Sequence, residues 1–162
     1  MFHFLTAVLA GLLLVACEKT PDKPPVSVLA KPAAAAAAIG EPPPRSAAAP
    51  QAARGLLIYR RHCLECHGEH GQGQAGDWRV RDAKGNYPPP PLDDSAHAWH
   101  HPTAALLEAI RDGSPQGQGN MPAWQGKLSE HEMQDVVAYI KSLWSEEVYR
   151  LWWKMERQSL EP

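Results

Sequence analysis

Cys63-Leu64-Glu65-Cys66-His67 sets two thiols three positions apart and an imidazole directly after the second. Each thiol of such a pair can add to one vinyl group of a haem, and the histidine that follows then lies beneath the iron. The C-x-x-C-H pattern therefore reads as covalent haem attachment. The competing chemistry is a zinc or redox Cys-x-x-Cys with an incidental histidine. A closed zinc site needs four ligands, and with three cysteines in the chain only Cys17 is left to contribute. The other ligands would have to come from scattered histidines.

Helical elements must position this pentapeptide. Gly55, Tyr59 and Cys63 recur every fourth residue, so they share one face of a helix that runs into the motif. A glycine on that face lets a second helix approach closely. The partner is predicted over Ser129–Trp144, where Ser129-x-x-Glu132 is a capping box and Met133, Val136, Val137, Ile140, Leu143 and Trp144 follow at helical spacing. Val136, Val137, Tyr139 or Ile140 should meet the first helix. A third helix is predicted from Pro102, at its first turn, to Gly113, just past its end. No stretch alternates at period two, so the fold class is all α. The Gly-, Pro- and Gln-rich loops between these helices are long for an ordinary domain, and a haem at the centre gives them something to wrap.

Gly55…Tyr59…Cys63-x-x-Cys66-His67-Gly68, Asn120-Met121-Pro122-Ala123-Trp124 and Leu128-Ser129-x-x-Glu132…Val136-Val137-Ala138-Tyr139-Ile140 together resemble a class I mono-haem cytochrome c. The likeness covers residues 54–144 in the family's order. The Tyr87–Leu92 and His97–Pro102 stretches also look like small bacterial periplasmic cytochromes c. The resemblance implies a small class I cytochrome c fold wrapped around one covalently bound haem c, with Cys63 and Cys66 as the thioether positions. His67 is implied as the proximal iron ligand and Met121 as the distal one. A thioether favours ferrous over ferric iron and so raises the reduction potential. Met133 and Met155 sit at helical positions and read as packing. The family also sets a proline carbonyl to accept the proximal histidine's Nδ1 hydrogen. Pro90 matches best, with Pro89 and Pro91 open because four prolines run together. Trp99 and Trp78 are candidates for packing on the haem edge or for an indole hydrogen bond to a propionate. His97, His100 and His101 admit two readings: they cap the helix near Pro102 and line the propionate side, or they bind copper. His62 and His70 read as surface.

Outside that domain the chain changes character. Residues 1–16 carry an apolar run of signal-peptide length, although Met1-Phe2-His3 lacks the usual positive charge. Leu14-Val15-Ala16-Cys17 resembles the lipobox of bacterial lipoproteins, which would make Cys17 the lipidated residue and anchor the chain to a membrane. Glu18 in place of an aspartate points to the outer membrane. Residues 17–53, rich in proline and alanine, lack the large apolar side chains needed to offset the entropy of ordering them, and read as a disordered tether. Residues 145–162 form a C-terminal extension whose helix should present Val148, Leu151, Trp152 and Met155 on one face.

Sixteen Lys and Arg against eighteen Asp and Glu leave a formal charge of −2, without the basic excess that nucleic-acid binding needs. The expected function is a membrane-tethered electron carrier on the periplasmic side, with redox protein partners and no small-molecule substrate. The alternatives are a haem enzyme or sensor with an open sixth site, and a copper-handling lipoprotein built on His97, His100 and His101.

Overall fold

A computed structural model describes residues 40–161. Cys17, the apolar run before it and most of the expected tether lie outside the described residues. The order of elements is α1 (Arg45–His62), α2 (Leu64–His67), a 3-10 turn (Ala98–His100), α3 (Thr103–Asp112), α4 (Glu130–Ser142) and α5 (Glu146–Ser159). No strand occurs among the described residues, where an isolated bridge joins Gln125 and Leu128. The all-α expectation holds.

The crossing of α1 and α4 organises the domain. Gly55 is buried, and a Cβ built on it would lie 1.9 Å from the main-chain oxygen of Asp135, so only a hydrogen fits between the two helices. One turn on, Tyr59 is fully buried with its ring centroid 4.8 Å from that of Tyr139. Val136, Val137 and Ile140 fill the core behind them. Arg54 closes the crossing at its rim, donating from Nε (2.8 Å) and Nη2 (2.9 Å) to the buried carboxylate of Asp135. The α4 start matches the expected capping box: the Glu132 N–H donates to Ser129 Oγ at 3.3 Å and the Ser129 N–H to Glu132 Oε2 at 2.8 Å.

Three expectations are corrected. The tether does not extend to residue 53, because α1 begins at Arg45 and includes Pro50. Ser46 through Ala49 are compatible with helix, and docking supplies what the proline removes. Arg45 Nη2 donates to the carbonyls of Lys141 (3.3 Å) and Ser142 (2.8 Å) at the end of α4, and its guanidinium lies over the Tyr149 ring. The histidines before Pro102 do not cap α3: its first N–H, that of Thr103, donates instead to Glu156 Oε2 of α5 at 2.6 Å. The buried face of α5 is also rotated from the one expected. Tyr149 and Trp152 are buried whereas Leu151 and Met155 are more than a third exposed, because the large rings bury more area than the aliphatic stripe. Trp152 packs 6.0 Å from Trp144 and 5.1 Å from Tyr149 between ring centroids.

Gly55→Ala should lower stability by about 1–3 kcal/mol, the usual penalty of overpacking, read from denaturant unfolding. A second test concerns Asp135, whose carboxyl is held below the ordinary carboxylate range, chiefly by its hydrogen bonds from Arg54. A depressed folded-state value adds stability above the unfolded carboxylate range that disappears as pH falls through the folded value. Arg54→Met should therefore be less stable than the parent at neutral pH, and the gap should close in acid.

Candidate haem-binding site

Cys63 caps α1, its N–H donating to the Tyr59 carbonyl at 2.8 Å, and the Cys63 carbonyl then accepts from Cys66 (3.2 Å) and His67 (2.9 Å). The pentapeptide is thus one helical turn with Cys63, Cys66 and His67 on a shared side. Gly68, at φ +79°, ends it. The two thiols are free of each other, as thioether formation requires. Burial pushes the Cys63 thiol up to about 11, with Cys66 adding to the effect.

His67 is buried, and its Nδ1 lies 3.3 Å from the Pro90 carbonyl. A carbonyl only accepts, so Nδ1 carries the proton and Nε2 keeps its lone pair. Burial lowers the imidazole's pKa, with the Pro90 carbonyl opposing, which keeps the ring in the neutral form that binds metal. The register left open among four prolines is therefore that of Pro90.

Glycines build the platform for that carbonyl. Gly73, at φ +73°, donates its N–H to the His67 carbonyl at 2.8 Å, and a Cβ there would lie 2.8 Å from the Pro89 oxygen and 3.1 Å from the Pro91 nitrogen. The Leu92 N–H donates to Gly71 O at 2.6 Å, and Tyr59 Oη donates to Gly68 O at 2.7 Å. Sequence reasoning missed Gly71 and Gly73. Their signal was the Gly68-x-x-Gly71-x-Gly73 spacing directly after the motif.

Met121 is half-buried against the core, and its backbone is fixed on both sides by Ser114: Ser114 N–H donates to the Met121 carbonyl at 2.9 Å, and Met121 N–H to Ser114 Oγ at 3.3 Å. Trp124 N–H donates to the carbonyls of Ile110 (3.2 Å) and Arg111 (3.1 Å), which stitches the Met-Pro-x-Trp segment to the end of α3. Gly113 allows this approach, since a Cβ there would meet the Met121 oxygen at 2.5 Å.

Trp99 Nε1 and His97 Nδ1 are buried with no hydrogen-bond partner among the described residues. Buried polar atoms are rarely left orphaned in native structures, and the Trp99 indole N–H suits a carboxylate acceptor such as a propionate. The donor set of Cys63, Cys66, His67 and Met121, with this orphan, fits a covalent haem. The three histidines near Trp99 pack against aromatic rings. His97 stacks on Trp78 (4.7 Å, 19°), His100 stands against Trp99 (3.8 Å) and His101 meets the edge of His97 (5.3 Å). Among the described residues no group of three or more His, Cys, Asp or Glu side chains is placed to hold a metal ion.

The family described as cytochrome c oxidase, cbb3-type, subunit III matches residues 50–140. The chain belongs to this family. It is a mono-haem class I c-type cytochrome whose cofactor is a covalently bound haem c with its iron. The cytochrome is 32% identical over 92 residues to the cbb3-type cytochrome c oxidase subunit FixP of Bradyrhizobium diazoefficiens, an alignment covering 57% of this chain and 27% of that one. It is 29% identical over 95 residues to subunit CcoP of Azospirillum brasilense, covering 59% and 29%. A thiosulfate dehydrogenase of Stutzerimonas stutzeri is 35% identical over 94 residues, covering 56% and 26%. The cytochrome thus spans less than a third of the length of these relatives. No solved structure matches it. No helix among its described residues is long and apolar enough to cross a membrane.

Gly73→Ala should cost about 1–3 kcal/mol for an L-residue at positive φ and should displace the Pro89–Pro91 backbone. A weaker hydrogen bond at His67 Nδ1 makes a less basic imidazole. The reduction potential of this variant should rise, which redox titration would measure.

Proposed function

We propose that this cytochrome is a one-electron carrier held at the periplasmic side of a bacterial membrane by a lipid on Cys17, passing electrons between protein partners. The haem c supplies a ferric/ferrous couple. The observation that carries the reading is the buried His67 with its Nδ1 engaged by the Pro90 carbonyl, an imidazole preset as an iron ligand.

In this reading Cys63 and Cys66 would hold the haem through thioethers, and His67 and Met121 would ligate its iron. Trp99 would donate its indole hydrogen to a propionate. The carbonyl of Pro90 raises the basicity of the imidazole, and a Met121 thioether favours the reduced iron. An iron ligated on both sides by the protein would leave no open site for a substrate, which supports an electron carrier over an enzyme. The relatives named as cbb3-type oxidase subunits support a redox protein as partner. The apolar run ending in Cys17 supports the membrane anchor, and Glu18, which is not an aspartate, favours the outer membrane.

A second reading is favoured by the likeness to thiosulfate dehydrogenase: oxidation of a small sulfur anion at the haem. Mixing thiosulfate with the oxidised cytochrome separates the two, since a carrier stays oxidised.

The ferric protein should show the weak far-red band of a methionine-to-iron bond, and the ferrous protein should not bind carbon monoxide readily. Met121→Ala should lose the band, bind carbon monoxide, and fall in potential by a sizeable part of the roughly 0.8 V that axial ligands span. Rapid carbon monoxide binding by the parent protein would overturn the carrier reading.

A further inference from the structure

A cavity of about 510 Å³ opens between α1, α4 and α5. It contains none of Cys63, Cys66, His67, Pro90 or Met121 in its lining, so it is separate from the haem site. Its walls are mostly apolar, with Ala48, Ala52, Val137 and Trp152 among them, and among the described residues no Asp or Glu lines it. Two cations do: Arg45 and Lys141.

These cations differ in their engagement. Arg45 pairs with Glu146 at 3.4 Å and donates to two carbonyls at the end of α4. Lys141 Nζ donates to Thr103 Oγ1 at 2.7 Å and sits 3.8 Å from the centroid of the Trp152 ring. Its three hydrogens have one conventional acceptor, and it forms no ion pair among the described residues. Glu156, the carboxylate acting on it from α5, is committed to the Thr103 N–H. A partly buried ammonium normally has a counter-ion, and here that of Lys141 borders a space that no Asp or Glu of the described residues lines.

We propose that this cavity binds a small organic anion with an apolar body, an aliphatic or aromatic carboxylate whose charged end meets Lys141 Nζ. The volume is that of a small-molecule site, more than a bare inorganic ion would fill, and the alanine and tryptophan walls would bury the body of the ligand. Two cations without a lining carboxylate disfavour a cationic guest.

Protonation gives the site a pH signature. Burial lowers the Lys141 pKa to about 8, opposed by Glu156. The other groups facing the cavity are Arg45 on α1 and Tyr149 on α5, whose phenol burial pushes upward so that it stays neutral. The anion meets the ammonium form, so affinity should be level between about pH 6 and 7 and fall as pH rises through 8, approaching tenfold per unit beyond it.

The test uses the full, haem-loaded chain titrated with benzoate and with hexanoate by calorimetry, with benzamide and hexanamide as neutral isosteres. At pH 7 the carboxylates should bind at least about tenfold more tightly than the amides, a difference of about 1.4 kcal/mol. The preference should shrink at pH 9.5, and Lys141→Met should abolish it. The wild-type pH series needs no variant, so the proposal is tested even if Lys141→Met fails to fold. No binding of either carboxylate at pH 7, equal affinity for acid and amide, or an affinity unchanged at pH 9.5 would each overturn it.

Discussion

The whole arrangement depends on how closely α1 and α4 approach. A single hydrogen at Gly55 separates the α1 backbone from the carbonyl of Asp135, and every larger side chain would push the helices apart. That contact fixes where α1 ends, and α1 ends at Cys63. Tyr59 transmits the position twice, by packing against Tyr139 and by holding the Gly68 carbonyl just beyond the motif. Cys63, Cys66 and His67 are thus located by a helix crossing some two turns upstream. The carboxylate of Asp135 is buried beside the same contact. Burial of an unpaired charge is costly, and the bidentate grip of Arg54 is what makes an aspartate tolerable there.

The haem face is otherwise built from loops, and those loops are held by main-chain hydrogen bonds. The stretch from Gly68 to Gly73 folds back on the pentapeptide so that Gly73 bonds His67 while lying against Pro89 and Pro91. Prolines cannot donate, so a run of four offers acceptors alone. The one carbonyl that meets His67 is selected by the glycine turn beneath it. Met121 is fixed by an equivalent logic, through Ser114 and the end of α3.

Most of the scaffold was legible in the sequence where local chemistry decided it. The capping box at Ser129, the glycine after α3, the Gly55 and Tyr59 face and the C-x-x-C-H turn each obey short-range rules, and the structure follows them. The misjudged features were set by distant partners. Nothing in Arg45–Ala53 shows that Lys141 and Ser142 will offer carbonyls to Arg45, so an alanine-rich segment with a proline read as tether. The cap of α3 comes from a residue 53 positions away, and no spacing rule reaches that far. The rotation of α5 follows from Lys141 and Trp144 receiving Trp152, a fit between elements invisible in either one alone. For the candidate site, the sequence proposed Cys63, Cys66, His67 and Met121 and favoured Pro90 among four prolines, whereas the glycine turn that sets the Pro90 carbonyl at His67 was not read.

Glu156 has a further consequence. By accepting from the Thr103 N–H it completes one end of α3, and the other end of α3 carries Gly113 and the hydrogen bonds that seat Met121. The C-terminal helix and the methionine loop are therefore the two terminals of one short rod. A disturbance of α5, whether by truncation or by a protein docking on its exposed Leu151 and Met155, has a mechanical route to the Met121 segment that bypasses the C-x-x-C-H turn.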